Sequence, residues 1–342
     1  MKFAVLGAGA IGAYVGASLA RGGADVTLIA RNAHLRAMQR RGVRVLSPRG
    51  DFSAQPLATD DWAAVAGADV VFVGLKAYSL PDAAPRLGEL LAPGSAVIWA
   101  QNGIPWWYFQ ALPAAAADVG LAAGAGLQSV DPGGRIARSI RPEHNVGCVV
   151  YCSTEIESPG VIRHVEGTRF ALGRPDGAAD PILDAIAADF VAGGLKAPVE
   201  TNLREQLWVK LLGNAALNPI SALTRATLGD MMNDPRCEAA VRAIMEECQA
   251  IANRLGIELP ISIDKRIDGA RRVGDHKTSM LQDLEAGRPL ELDAVTGAVV
   301  ELGRILGIPT PATEHVYGMT RLLDESLRAQ ALAEREAAKV VG

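Results

Sequence analysis

The 342-residue sequence predicts an α/β N-terminal Rossmann-type domain followed by an all-α C-terminal domain. Three observations carry that expectation. A glycine-spaced turn joins an apolar strand to a helical run at the very start of the chain. Short apolar runs then alternate with helical patterns through the first hundred residues, and strand patterns nearly vanish after Pro198. Continuous apolar strands separated by helices imply a parallel sheet covered on both faces. The handedness of such connections favours a doubly wound order.

The elements follow in order. KFAVLGAG reads as a strand entering a turn, IGAYVGASLARGG as a helix closed by glycines, and ADVTLIAR as the second strand. The opening FAVLGAGAIGAYVGASLA also has the look of a secretion signal, but its glycine spacing and the strand that follows favour strand–turn–helix. ADVVFVGLK and SAVIWAQNG are further strands that end in polar residues. Between 119 and 175, VGLAAGAGLQSV, HNVGCVVYCS, GVIRHVEG and RFALGR read as strands joined by tight turns, and DPILDAIAADFVAGG as one more helix. A boundary near residue 202 separates a dinucleotide-binding domain (1–202) from a helical substrate and catalytic domain (203–335). Within the second, 290–307 is the clearest helix, with Leu292, Val295, Val299, Leu302 and Leu306 on one stripe. ESLRAQALAEREAAK reads as a solvated, charged end.

Composition excludes several classes. At 49% hydrophobic and 21% charged the chain is an ordinary globular protein with a sizeable core. A net charge of -4 argues against nucleic-acid binding, which needs a cationic surface. No run of about twenty uncharged apolar residues suggests a membrane span. Cys148, Cys152, Cys237 and Cys248 form no CxxC pair, so they read as free thiols in a reducing cytoplasm, with no metal site expected.

Chemistry is concentrated at two places. Gly7, Gly9 and Gly12 spell G-A-G-A-I-G between strand and helix. This spacing gives a tight turn, lets a diphosphate approach the backbone and allows close helix packing. Where an NAD protein places an acid at the end of the second strand, this chain has Arg31 and no acid until Asp51. A guanidinium can grip a 2'-phosphate that a carboxylate would repel, so NADP is favoured over NAD, with FAD third. Arg36, Arg40, Arg41 and Arg44 read as a solvated basic helix. Lys76 and Asn102 sit at strand exits, where ligands of open α/β sheets bind, although a surface lysine and a plain Asn-Gly turn are the bland alternatives. The second place is LWVKLLGNAALNPISAL (207–223), where Lys210, Asn214, Asn218 and Ser221 fall on one face of an apolar helix. Buried polar groups without partners are costly, so the stripe points to the wall of a cleft; a solvent-facing stripe is the other reading.

GAGAIG, IAR, LKAY, QNGI, WVKLLGNAALNP and SMLQDLEAGRPLELDAVTG, spread from residue 7 to 297, together resemble the ketopantoate reductase (2-dehydropantoate 2-reductase) family. The resemblance implies an NADP-binding Rossmann domain, a helical C-terminal domain and an active site in the cleft between them. It implies Lys210 as general acid, and Asn102, Asn214, Asn218 and Ser279 as substrate-binding residues. For the cofactor it implies Gly7, Ala8, Gly9, Ala10, Ile11 and Gly12 at the loop, with Arg31, Lys76, Asn102 and Glu291. Pro289 is expected to open the helix that carries Glu291 in its first turn.

Some features depart from the family pattern. Residues 128–160 look long, CSTEIE replaces a small-residue stretch, Leu228 stands where a polar contact is usual, and IPWWYFQ would set bulky aromatics beside the site. The expected activity is NADPH-dependent reduction of a 2-keto acid, first of all 2-dehydropantoate to pantoate in pantothenate biosynthesis. A mandelate-like 2-hydroxy-acid dehydrogenase, a β-hydroxyacid dehydrogenase and a non-catalytic NADP sensor stand as alternatives. The partner is a small 2-keto acid, without nucleic acid or membrane, and a homodimer stays open.

Overall fold

The computed structural model describes residues 1–111 and 126–341. They form two units, 1–111 with 126–206, and 207–341.

The first unit is built on one nine-stranded sheet in the order β4-β3-β9-β8-β7-β6-β1-β2-β5. The strands are β1 (Lys2–Leu6), β2 (Asp25–Ile29), β3 (Val43–Leu46), β4 (Phe52–Ala54), β5 (Leu57–Thr59), β6 (Val70–Val73), β7 (Ala96–Trp99), β8 (Asn145–Ser158) and β9 (Val161–Gly173). β1 runs parallel to β2 and β6, and the parallel series continues from β6 through β7 to β8 and from β2 to β5. β8 and β9 are antiparallel. Every residue of β6 and β7 is buried, as expected for strands covered on both faces.

Helices α1 (Ala10–Arg21), α2 (Asn32–Arg41), α3 (Leu80–Leu90), α4 (Arg135–Ser139) and α5 (Pro181–Ala192) connect them. α1 is fastened to β9 by Tyr14, whose ring stacks 4.7 Å from that of His164 on that strand. The His164 ring bonds the Ser47 hydroxyl at 2.8 Å through Nδ1 and the Gly167 carbonyl at 2.6 Å through Nε2. Burial pushes the Tyr14 phenol up to about 12.

Three details of this unit differ from the sequence expectation. β3, β4 and β5 were not anticipated; they are three or four residues long, too short for a periodic signal. Arg44 consequently lies on β3 rather than on the basic helix, which ends at Arg41. GVIRHVEG and RFALGR are a single strand, β9: Gly167, with φ +73, makes a bulge opposite Tyr151 where a chain turn was expected. VGLAAGAGLQSV lies largely outside the described residues, and its described end, 126–130, contains a turn and no strand.

The second unit holds most of α6 (Leu203–Thr224), then α7 (Leu228–Asn233), α8 (Pro235–Arg254), α9 (Ile263–Val273), α10 (Ser279–Glu285), α11 (Ala298–Leu306) and α12 (Pro311–Val341). No strand occurs among its described residues. The helix starts are set locally: Thr227 and Asp230 make a reciprocal capping box for α7, and Asp234, Ser262 and Thr278 cap α8, α9 and α10.

The expected helix over 290–307 begins differently. A π-helical turn, Asp293–Gly297, precedes α11, and Glu291 lies before it rather than in a first helical turn. Pro289 is in the connecting loop, and the acid at the helix start is Asp293. Tyr317 on α12 explains the geometry in part. Its hydroxyl donates to Asp293 at 2.7 Å, and its ring lies over Gly297, where a Cβ would stand 3.1 Å from Cε2. A wider turn with no side chain at 297 makes room for that ring.

No helix among the described residues is long and apolar enough to cross a membrane. No cluster of His, Cys, Asp and Glu among them could hold a metal ion. The four cysteines are free, with Cys148 and Cys248 buried.

Candidate active site

In the first unit the chemistry gathers at the carboxyl ends of β1, β2, β6 and β7. The chain leaves β1 through Gly7, whose φ of +93 is open to glycine alone at low cost. The amides of Gly7 and Ala8 donate to the Ile29 carbonyl at 3.2 and 3.0 Å, tying the loop to the end of β2. Gly9 is the N-cap of α1 and supplies no side-chain acceptor, and a Cβ there would meet nothing within 4 Å. The first amides of a helix have no partner within it, so Ala10, Ile11 and Gly12 present donors and the positive end of a helix dipole. Gly12 packs on the loop behind it: a Cβ would stand 3.1 Å from Val5 and closer still to the Gly7 carbonyl oxygen. An open approach at Gly9, uncapped amides and tight packing at Gly12 suit a dinucleotide diphosphate.

Arg31 is the N-cap of α2 and is exposed, immediately after β2. Its neighbour Asn32 has φ +56, which starts the helix sharply at this point. His34, in the same first turn, accepts from the Gly160 amide at 3.0 Å through Nδ1, and burial lowers its pKa. Lys76 is half-buried at the N-cap position of a short 3-10 turn, Ala77–Ser79, after β6. Asn102 and Gly103 follow β7, with Gly103 at φ +87.

Two residues that sequence reasoning missed hold these ends together. The Gln101 amide donates to the carbonyls of Val73 and Leu75, each at 2.9 Å, bridging the exits of β6 and β7 beside Lys76. At Gly74 an added Cβ would stand 2.7 Å from the Gly7 carbonyl oxygen and 3.4 Å from the Gly12 Cα. The signal for Gln101 was its place directly before Asn102 at a strand end. Gly74 had no local signal, because its partner, Gly7, lies in the loop after a different strand.

The aromatic run after Asn102 is buried. Trp106, Trp107, Tyr108 and Phe109 are all buried within the first unit, and Trp106 meets Trp99 edge-on at 5.2 Å. Arg204 donates to the carbonyls of Tyr108 (2.9 Å), Gln110 (2.6 Å) and Pro175 (2.6 Å), and burial lowers its pKa. Asn145 links the Trp99 indole at 2.8 Å to Gln110 at 2.7 Å. The bulky residues expected beside the site are thus held by packing and backbone bonds rather than exposed to solvent. They leave the aromatic-substrate alternative without its motif.

In the second unit, α6 carries the polar stripe. Lys210 and Asn214 are half-buried, Asn218 is 6% exposed and Ser221 fully buried, so the face passes from accessible to closed along the helix. Pro219 has no amide hydrogen, which removes the donor that would serve the Ala215 carbonyl next to Asn214. Ser221 has a structural task. Its hydroxyl donates to the Ala226 carbonyl at 2.8 Å, closing the helix where Arg225 turns left-handed at φ +61. Ser279 is exposed as the first residue of α10, and Glu291 is buried just ahead of the π turn.

Comparison with known proteins places this arrangement. Residues 3–177 match the family model described as ketopantoate reductase PanE/ApbA, and residues 202–324 its C-terminal counterpart. The 2-dehydropantoate 2-reductase of Mesorhizobium japonicum is 46% identical over 325 residues, covering 94% of this chain and 98% of that protein. A PanE/ApbA family ketopantoate reductase from Ralstonia eutropha JMP134 superposes with a TM-score of 0.81 at 30% identity, covering 96% of this chain and all of that one. A D-mandelate dehydrogenase in complex with NADH shares the fold at a TM-score of 0.79, but only 19% of its residues, covering 96% of this chain.

Proposed function

The chain belongs to the ketopantoate reductase family, and from that premise we propose that it reduces 2-dehydropantoate to pantoate with NADPH. The observation that carries this reading is the line of Lys210 and Asn214, half-buried, and Asn218, buried, on α6, in a chain that matches the family over most of its length. When bound, the nicotinamide supplies the hydride. Lys210 gives its proton to the substrate oxygen as the carbonyl becomes an alkoxide, general acid catalysis contributing roughly 10²–10⁴-fold. Asn102, Asn214, Asn218 and Ser279 orient the keto acid so that the reacting carbon is held in line. The amides of Ala10, Ile11 and Gly12 would hold the diphosphate at the loop that runs from Gly7, and Lys76 and Glu291 would serve the cofactor end of the site.

NADPH is preferred over NADH in this reading because Arg31 ends the β2 connection where an acid would repel the 2'-phosphate. The mandelate-like alternative retains the shared fold and loses the aromatic motif that suggested it. NADPH oxidation followed at saturating ketopantoate and at saturating phenylglyoxylate separates the two. Turnover with ketopantoate is the expected result. Turnover confined to phenylglyoxylate would replace this reading with the alternative.

A further inference from the structure

A parallel ladder fixes the spacing of two strands only as far as it runs. The pairing of β6 with β7 ends at Val73 and Trp99. On its other side β6 stays bound for one residue more, through the Gly74 amide and the Leu6 carbonyl at 2.9 Å. Lys76 and Asn102, which in the reductase reading meet cofactor and keto acid, each lie three residues beyond the last pair of β6 and β7. The ladder therefore does not set the distance between them.

The Gln101 side chain spans this gap. Its Nε2 donates to the Val73 carbonyl and to the Leu75 carbonyl, each at 2.9 Å. Carbonyl oxygens only accept, so the nitrogen of the amide must face them, and both of its hydrogens are occupied. One end of this clip is attached immediately before Asn102 and the other immediately before Lys76. Between the two acceptors sits Gly74, where an added Cβ would stand 2.7 Å from the Gly7 carbonyl oxygen. The stretch that Gln101 holds is thus the stretch that packs against the dinucleotide loop.

We infer that Gln101 is a positioning residue of the reduction: by clipping the β6 exit to the β7 exit it sets Lys76 and Asn102 at the spacing that cofactor and keto acid require. This rests on the reductase reading above. Gln101 acts through Lys76 on the cofactor and through Asn102 on the keto acid, without a ligand contact of its own. Misplacement of such groups by about 1 Å costs up to roughly 10²-fold in rate.

Gln101→Met keeps the length of the side chain and removes both donors. In that variant the Kd for NADPH, read by fluorescence titration, should rise roughly 3- to 10-fold. Its kcat for ketopantoate should fall roughly 10- to 100-fold. The decisive step repeats the titration in a Lys76→Met background. There Gln101→Met should raise Kd by less than about 2-fold, because the group it positions is gone. Changes in Kd of equal size with and without Lys76, zero included, would leave Gln101 a structural role and overturn the inference, as would an undiminished kcat. If Gln101→Met does not fold, Gln101→His, which keeps one N–H donor, takes its place and should show smaller changes in the same pattern. A wild-type enzyme that neither binds NADPH nor reduces ketopantoate would instead refute the reductase reading, a result visible before any variant is made.

Discussion

Gly74→Ala probes the nucleotide loop without touching a group that contacts a ligand. The new methyl would stand 2.7 Å from the Gly7 carbonyl oxygen. Ordinary carbon–oxygen contacts begin near 3.3 Å, so roughly 0.6 Å must be found by moving either the loop or the end of β6. Gly74 itself does not require a left-handed backbone, so alanine brings no dihedral strain. The Gly7 carbonyl accepts the Gly9 amide at 2.8 Å, so displacing it turns the amides that follow. If the shift costs one amide–phosphate hydrogen bond, about 1.5–3 kcal/mol, the Kd for NADPH rises about 10- to 100-fold. Overpacking of this kind destabilises by about 1–3 kcal/mol. That corresponds to about 2–4 °C of Tm per kcal/mol for a unit of this size. Fluorescence titration with NADPH and a thermal melt read both quantities. An unchanged Kd beside a lowered Tm would refute the placement of the diphosphate on this loop, and no change in either would refute the packing itself.

Other perturbations follow from the same geometry. Arg31→Ala should weaken NADPH about 10- to 100-fold and leave NADH nearly unaltered, as loss of a charged phosphate contact requires; parallel titrations with the two cofactors check it. His34 has a lowered pKa in the folded state, so the unfolded chain binds the extra proton. Its contribution to stability is therefore complete above the unfolded value of about 6.5 and is lost as pH falls through the folded one. His34→Asn keeps an acceptor for the Gly160 amide and should flatten the acid side of a Tm-versus-pH curve. Arg204→Met would strip the carbonyls of Tyr108, Gln110 and Pro175 of their donor. At about 1–3 kcal/mol for each buried orphan, denaturant titration should show a loss of several kcal/mol.

The parallel core of the sheet was legible because β1, β2, β6 and β7 are continuous apolar runs ending at glycine or a polar residue. The α6 stripe was legible because helical periodicity brings 210, 214, 218 and 221 to one face whatever else the chain does. Residues that depend on distant neighbours were not. Gly167 reads as a turn glycine until Tyr151 is seen opposite it, and Pro289 reads as a helix opener until Tyr317 is found holding Asp293 and Gly297. Trp106 and Trp107 announce a large apolar surface, but sequence cannot say whether it faces ligand or core; Trp99, Asn145 and Arg204 decide for the core. Ser221 belongs to the stripe by angle and to the helix end by hydrogen bond. Gly74 and Gln101 act through contacts between separate elements, which leave no local pattern.

The most direct measurement is steady-state turnover of ketopantoate by Lys210→Ala, with NADPH affinity measured on the same preparation. Removing the general acid should lower kcat roughly 10²–10⁴-fold while NADPH binds as it does to wild type. Near-normal turnover in the folded variant would contradict the assignment of Lys210 as the proton donor.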